Sequence, residues 1–171
     1  MATPLELDER IHDVHVITGE QCIRGVLRVK GMLEVILNSE DRFTLSLTDA
    51  YVQALDKNNT ASAMRLARLA LPKPACQLIT FAQQPSEDDL MVKPVEIPSV
   101  VYTAYFAIQG VVRVGGVEHL ADMLDGVRGY FFPVFSPRLY PLVPMWAVIP
   151  KQSAVVLVNK HHVRMLHEAA P

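Results

Sequence analysis

Hydrophobic and polar positions alternate along much of the chain, which is typical of β-strands with one buried face. VHVIT (14–18) and FTLSL (43–47) alternate in this way, and VVLVN (155–159) is a short apolar run typical of a buried strand. Two segments, 32–38 and 117–125, instead place apolar residues three and four positions apart, which predicts short helices. The pattern predicts a mainly β protein with short helices.

Several segments recur in the same order in the two halves of the chain. The matched pairs are IRGVLRV (23–29) with IQGVVRV (108–114), which agree at five of seven positions, then FTLSL (43–47) with YFFPV (130–134), and finally QLITFAQQ (77–84) with VVLVNKHH (155–162). A chance match of one segment is plausible, but a chance series in a fixed order is not. We therefore predict an internal duplication of a small bent-sheet or partial-barrel unit, with repeats at 1–84 and 85–171.

One segment distinguishes the first half. ASAMRLARLAL (61–71) contains good helix formers throughout, with Thr60 as a candidate N-cap and Pro72 to end the helix. This predicts a helical insertion at about 60–71. Arg65 and Arg68 would share one helix face, so the insertion could contact a partner or an anion, or pack as a lid over the barrel end.

Glycine and proline mark the expected irregularities of the strands. Gly25 and Gly110 lie inside strand patterns, where glycine indicates a bulge or a close backbone approach. Asp49 suits a bend within its strand. Pro133 and Pro137 cannot donate to a sheet ladder, so their strand should lie at an edge or be kinked.

Composition adds an excess of apolar residues. Half of the chain is hydrophobic and 20% is charged, against roughly 25% in typical soluble domains. The surplus favours a subunit interface and hence a homo-oligomer. The net charge of −2 argues against a dedicated nucleic-acid binder, although a local basic patch remains compatible with it.

Localisation is predicted from what the sequence lacks. The N-terminal MATPLELDERIHD has no apolar core of a signal peptide, and no apolar stretch is long enough to span a membrane. Cys22 and Cys76 are too few for a disulfide framework, so we expect reduced, buried thiols. These features predict a cytoplasmic protein.

Two short motifs resemble those of the bacterial Sm-like RNA chaperone family. VNKHHVRML is similar to the second Sm motif, in which a Lys-His pair lies between hydrophobic strand residues, and IQGVVRV is similar to the first, with Gly110 at its glycine. The resemblance implies a bacterial protein with a tandem Sm-like fold in which Lys160 and His161 could bind RNA. The first half has FAQQ (81–84) where the second has VNKH (158–161), so the RNA site is expected in the second half alone.

Aromatic residues near these motifs have two possible roles. Tyr130 and Phe132 could stack on RNA bases beside Lys160 and His161. The alternative is that aromatic rings form a subunit interface, for which the candidates are Phe131, Phe132, Phe135 and Trp146.

No catalytic signature is recognisable. The chain has no GxSxG, Walker A, GxGxxG or HExxH motif, so we do not expect an enzyme or a cofactor. The histidine pairs His12/His15 and His161/His162 would face opposite sides of a strand, so no metal site is expected.

Three functions remain after these considerations. The favoured one is a non-enzymatic scaffolding protein that self-associates into a small closed oligomer, such as three chains of two repeats. The first alternative is an RNA-binding module at Lys160 and His161. The second is a small-molecule sensor with a pocket between the repeats, covered by the predicted helix at 61–71.

Overall fold

Ten β-strands form a single antiparallel sheet in the computed structural model, which describes residues 8–59, 61–91, 93–116, 119–145, 149 and 153–170. The strands are β1 (Glu9–Ile17), β2 (Gln21–Lys30), β3 (Thr44–Ala54), β4 (Met64–Pro72), β5 (Leu78–Phe81), β6 (Val95–Tyr102), β7 (Phe106–Val114), β8 (Phe131–Pro141), β9 (Val155–Asn159) and β10 (Met165–Glu168). Two helices, α1 (Leu33–Asn38) and α2 (Leu120–Gly126), accompany them, and 3-10 turns occupy Lys73–Ala75, Glu87–Asp89 and Lys160–His162. The predicted mainly β class with short helices is confirmed.

The strand order divides the sheet into two runs of five. It reads β10-β6-β7-β8-β9-β5-β1-β2-β3-β4, so the last five strands occupy one side and the first five the other. The two runs meet where β5 pairs with β9. The sheet is open, because β4 and β10 are its outer strands.

The predicted helical insertion is wrong. Residues 64–72 form β4, which pairs with β3 along its whole length, and Thr60 lies outside the described residues. Arg65 and Arg68 are exposed residues of this outer strand and do not share a helix face. The lid proposed for the sensor function is lost with the helix.

Both strand glycines lie at bulges, as predicted. The register of β2 against β3 shifts between Arg24 and Val26, and that of β7 against β8 shifts between Gln109 and Val111. Opposite these bulges, Asp49 and Ser136 adopt φ values of 50° and 47°. Bulges of this kind generally bend the strand and increase its twist.

Prolines 133 and 137 lie on β8, an interior strand between β7 and β9. The edge position considered for them is excluded, and a kink remains. Pro137 directly follows the positive-φ Ser136, where the register is irregular.

Two hydrophobic cores are shared between the runs of strands. One contains most of the buried residues of β1–β4 together with Phe131, Val155 and Leu157 from the second run. The other contains most of the buried residues of β6–β8, Val156 and Val158 of β9, and Ile17, Cys22, Leu55 and Leu78 from the first run. Because side chains alternate along a strand, β9 supplies one set to each core, which holds the runs together.

The two cysteines are buried, as predicted, and not joined to each other. Burial raises the pKa of the Cys22 thiol to about 11 and that of Cys76 to about 12. Across the described part of the chain, helices are too short or too polar to cross a membrane.

Candidate functional site

The centre of the sheet contains a joint between β5 and β9. Three residue pairs define it, Leu78 with Val158, Ile79 with Leu157 and Thr80 with Val156. Asn159, fully buried at the end of β9, donates from Nδ2 to the carbonyls of Lys73 (3.1 Å) and Cys76 (2.8 Å). Its Oδ1 accepts the His161 N–H at 3.0 Å. Asn159 therefore connects the two 3-10 turns that flank the joint.

The structure brings three of the four proposed RNA-binding residues together. The Tyr130 carbonyl accepts the Lys160 N–H at 2.8 Å, and the rings of Tyr130 and His161 meet edge to face with centroids 5.9 Å apart. The Lys160 Nζ donates to the carbonyl of Val127 at 2.6 Å, just past the end of α2. This ammonium group is already engaged in holding the helix end.

Phe132 does not join this cluster, and the residues predicted for an aromatic interface differ in their exposure. Phe131 and Phe132 are 1% and 3% exposed, each in a different core of the same chain. Phe135 is half-buried beneath the guanidinium of Arg113, 4.0 Å from its ring centroid. Trp146 lies outside the described residues. Buried side chains on an interior strand cannot contact a second chain.

Lys73 is a component of the joint that the sequence did not single out. It is 1% exposed, and its Nζ donates to the carbonyls of Ser39 (2.8 Å) and Ile36 (3.3 Å) at the end of α1. Burial, and secondarily the nearby charge of Arg42, lowers the pKa of its ammonium. The available signal was position, because Lys73 lies 87 residues before Lys160 (160 − 73) and each opens a 3-10 turn.

Asn38 connects α1 to the second run of strands. Its Oδ1 accepts the N–H groups of Tyr130 (2.9 Å) and Phe131 (2.7 Å), and its Nδ2 donates to the Phe131 carbonyl (2.8 Å). Gly129 makes this approach possible, since it has a φ of 80° and a Cβ there would lie 2.4 Å from the Asn38 carbonyl oxygen. The side chain of Asn38 thus extends the strand edge of β8.

A cavity of about 460 Å³ lies next to this contact, between α1 and the second run of strands. Its floor is apolar, with Phe131, Phe132 and Met123. Its polar lining includes Glu34 and the cations Lys93, Arg113 and Arg128.

Glu34 is the buried acid of the cavity. Its carboxylate accepts the Met91 N–H at 2.6 Å, and burial raises its pKa despite this hydrogen bond and the nearby charge of Lys93. The volume lies within the range of small-molecule sites, roughly 300–1,000 Å³.

Metal-ligating groups do not cluster in the described residues. No set of three or more His, Cys, Asp or Glu side chains is placed to hold an ion there. His12 and His15 lie on β1, and burial lowers the pKa of each. His162 Nε2 is 2.7 Å from the Pro74 carbonyl, across the joint.

Comparisons with protein-family models, with curated proteins and with solved structures give no match. Function is therefore inferred from the geometry of the joint, the cavity and the sheet edges.

Proposed function

We propose that the chain is a scaffolding protein of two Sm-like-type repeats, 1–84 and 85–171, which self-associates into a small closed ring. In this proposal β10 of one chain pairs with β4 of the next. The observation that carries it is the β5–β9 joint. If the chain is duplicated, the two outer strands are the counterparts of the two strands that already pair at the centre of the sheet.

The order of elements supports the duplication. Two long strands, a short helix, a bent strand, a further strand, a 3-10 turn and a short strand occur twice in succession. From the helices onward, equivalent positions differ by 87 residues, as for Asp49 and Ser136 (136 − 49). In this alignment α1 corresponds to α2, β4 to β9 and β5 to β10.

The proposed alignment changes one segment match made from sequence. In it QLITFAQQ and VVLVNKHH are not equivalent, because β5 follows the 3-10 turn of its half and β9 precedes the 3-10 turn of the other. The counterpart of the Lys160–His162 turn is the Lys73–Ala75 turn, so a lysine opens the turn in both halves. The first half therefore lacks the histidines but keeps the lysine.

The central joint specifies a register for the outer one. Shifting each pair of the β5–β9 joint by 87 residues gives Met165 with Leu71, Leu166 with Ala70 and His167 with Leu69. Continuing by one position sets Glu168 opposite Arg68, a favourable charge pair. Pro72, at the position of Asn159, has no N–H, so the outer joint would make one backbone hydrogen bond fewer than the central joint.

The outer strands also present apolar side chains. Met64 on β4 and Met165 on β10 are each about half exposed. Unpaired strand edges of this kind readily accept another strand. A head-to-tail joint between identical chains either closes into a ring or continues as a filament, and the curvature from the two bulges favours closure.

Light scattering on a sizing column tests this function directly. We expect a discrete particle near three times the mass of one chain, with no co-eluting nucleic acid by absorbance. A monomer at micromolar concentration would overturn the scaffold. Co-elution of nucleic acid would instead favour the RNA-binding alternative at Lys160 and His161.

The cavity favours one second candidate, a small-molecule sensor. An apolar floor beneath Lys93, Arg113 and Arg128 suits a small anion with an aromatic body. We expect some aromatic carboxylates or phosphates in a screening panel to raise the melting temperature, and Arg128→Glu to abolish the shift. Arg138→Glu is the control, because it makes the same charge reversal at an exposed position on β8. A panel without any stabilising compound, or equal shifts in both variants, would count against the sensor.

A further inference from the structure

A groove of about 200 Å³ is lined, among the described residues, by the first run of strands and its helix alone. It lies between β2, α1 and the start of β3, and its lining includes Arg28, Arg42 and Lys73. It differs from the 460 Å³ cavity in having no lining residue from the other run of strands, whereas α1 of the first run lines the cavity in the second.

In the repeat alignment, one wall of the cavity is built from residues equivalent to those that line the groove. On the cavity side this wall contains Val112, Arg113, Met123, Phe131, Phe132 and Pro133. Their counterparts are Leu27, Arg28, Ile36, Thr44, Leu45 and Ser46, all of which line the groove. The groove is therefore the equivalent of the cavity wall without its covering helix.

The missing cover can be named in the same way. In the cavity, α1 supplies Glu34, Val35 and Asn38, followed by Ser39. The corresponding residues are Ala121, Asp122, Asp125 and Gly126 on α2, so the cover for the groove is the α2 of another copy of this chain.

We propose that α2 of one chain docks into the groove of the next, with Asp122 and Asp125 facing Arg28 and Arg42. This rests on the proposed head-to-tail assembly and adds a second contact to strand pairing. The charges are complementary, with two acids on the helix edge and two arginines on the groove. Among the described residues of the single chain, Asp122, Asp125 and Arg42 form no salt bridge. Arg28 has only an exposed contact of 3.4 Å with Glu9.

In the repeat alignment, Asp125 is equivalent to Asn38. The backbone of Phe43 and Thr44 is equivalent to that of Tyr130 and Phe131. One substitution changes the local contact. Arg42 replaces Gly129, whose missing Cβ allows the tight approach to Asn38. The neighbouring chain must lie slightly farther from α2, and the long Arg42 side chain then spans the gap to the Asp125 carboxylate.

The docking also explains an exposed aromatic ring. Phe43 is 58% exposed, whereas its counterpart Tyr130 is half-buried with the Lys73 ammonium 5.9 Å from its ring centroid. In the docked pair, Lys160 of one chain would take the place of Lys73 above Phe43 of the next. The ring would then gain both cover and a cation–π contact.

A charge-swap experiment on the full chain tests the contact. Dissociation of the oligomer is followed by light scattering on dilution for Asp125→Arg, Arg42→Asp and the double variant. Each single reversal should weaken association by about tenfold or more, and the double variant should recover most of it, because the pair is restored with opposite polarity. Glu20→Arg is the matched control, because it reverses a charge as Asp125→Arg does but at an exposed position outside the groove. It should have little effect on the dissociation constant.

The outcomes separate the docking from the assembly itself. If the single reversals leave the dissociation constant unchanged while the chain remains oligomeric, the docking is wrong and the scaffold stands. If both singles weaken association but the double variant is no better than the worse single, the two residues do not face each other and the docking is also wrong. A wild-type chain that is monomeric overturns both. Melting temperatures of the variants, measured at one concentration, identify any that fail to fold, and recovery in the double variant cannot arise from misfolding.

Discussion

Ala70→Pro should convert the proposed ring into single chains. The hydrogen bond from Lys73 N–H to Phe43 O fixes the phase of the β3–β4 ladder, so that the Ala70 N–H points away from β3. Proline at this position removes the group expected to bond Leu166 of the next chain and places its ring where that strand would lie. We expect association at each joint to weaken about a hundredfold or more. Light scattering across a dilution series measures the change.

Two controls separate edge pairing from folding. Ala70→Val changes the same side chain but keeps the N–H, so the oligomer should persist. Arg65→Pro also removes an outward N–H from β4, because the bond from Leu55 N–H to Glu20 O shows that the ladder phase reverses beyond the bulge, and Arg65 lies past the four residues of β10. Proline on an edge strand is tolerated when its amide faces solvent, so all three variants should melt within a few degrees of one another as single chains. An intact ring in Ala70→Pro would show that β4 is not the joint.

Gly110→Ala should be among the most destabilising single-methyl changes in the chain. A Cβ at Gly110 would lie 2.7 Å from Val134 Cγ1 and 2.8 Å from the Phe135 carbonyl oxygen, and neither the strand backbone nor the buried valine can retreat easily. We expect the free energy of unfolding to fall by about 3 kcal/mol, typical of overpacking against backbone. Urea unfolding at fixed protein concentration gives the value.

The equivalent change in the first half is the matched control. At Gly25 the nearest atoms to an added Cβ are Thr48 O at 3.2 Å and Leu47 Cβ at 3.3 Å, so a small adjustment of a few tenths of an ångström suffices. Gly25→Ala should therefore cost about 1 kcal/mol or less. Equal losses in the two variants would mean that conformational freedom at the bulge, and not close packing, requires glycine.

The bulges and helices were predictable because their causes are local. Glycine inside an alternating pattern indicates a bulge, and the apolar spacing of LEVILN indicates one face of a helix. The joint residues Asn159 and Lys73 were not predictable, because their partners lie 83 to 86 and 34 to 37 positions away along the chain. Nothing in the local sequence distinguishes a lysine that caps a helix end from one in solvent.

The error at 61–71 shows where composition misleads. Alanine, leucine and arginine favour a helix in isolation, but here the segment pairs with β3 and sets Leu71 in the first core. Pairing with a formed strand offers more hydrogen bonds and burial than a short free helix provides. In the proposed repeat alignment β9 matches β4 and not the 77–84 segment, and short apolar strands such as these resemble one another whichever neighbours they pair with.

The sequence by itself determined the mainly β class, the two short helices, the bulged glycines and the burial of both cysteines, because periodicity and backbone stereochemistry act over a few residues. Only the tertiary structure decided which strands pair, that Phe131 and Phe132 are internal, that Lys73 caps α1, and that β4 and β10 are left as the outer edges. These features depend on contacts between residues far apart in the chain, and such contacts are selected by packing of the whole sheet.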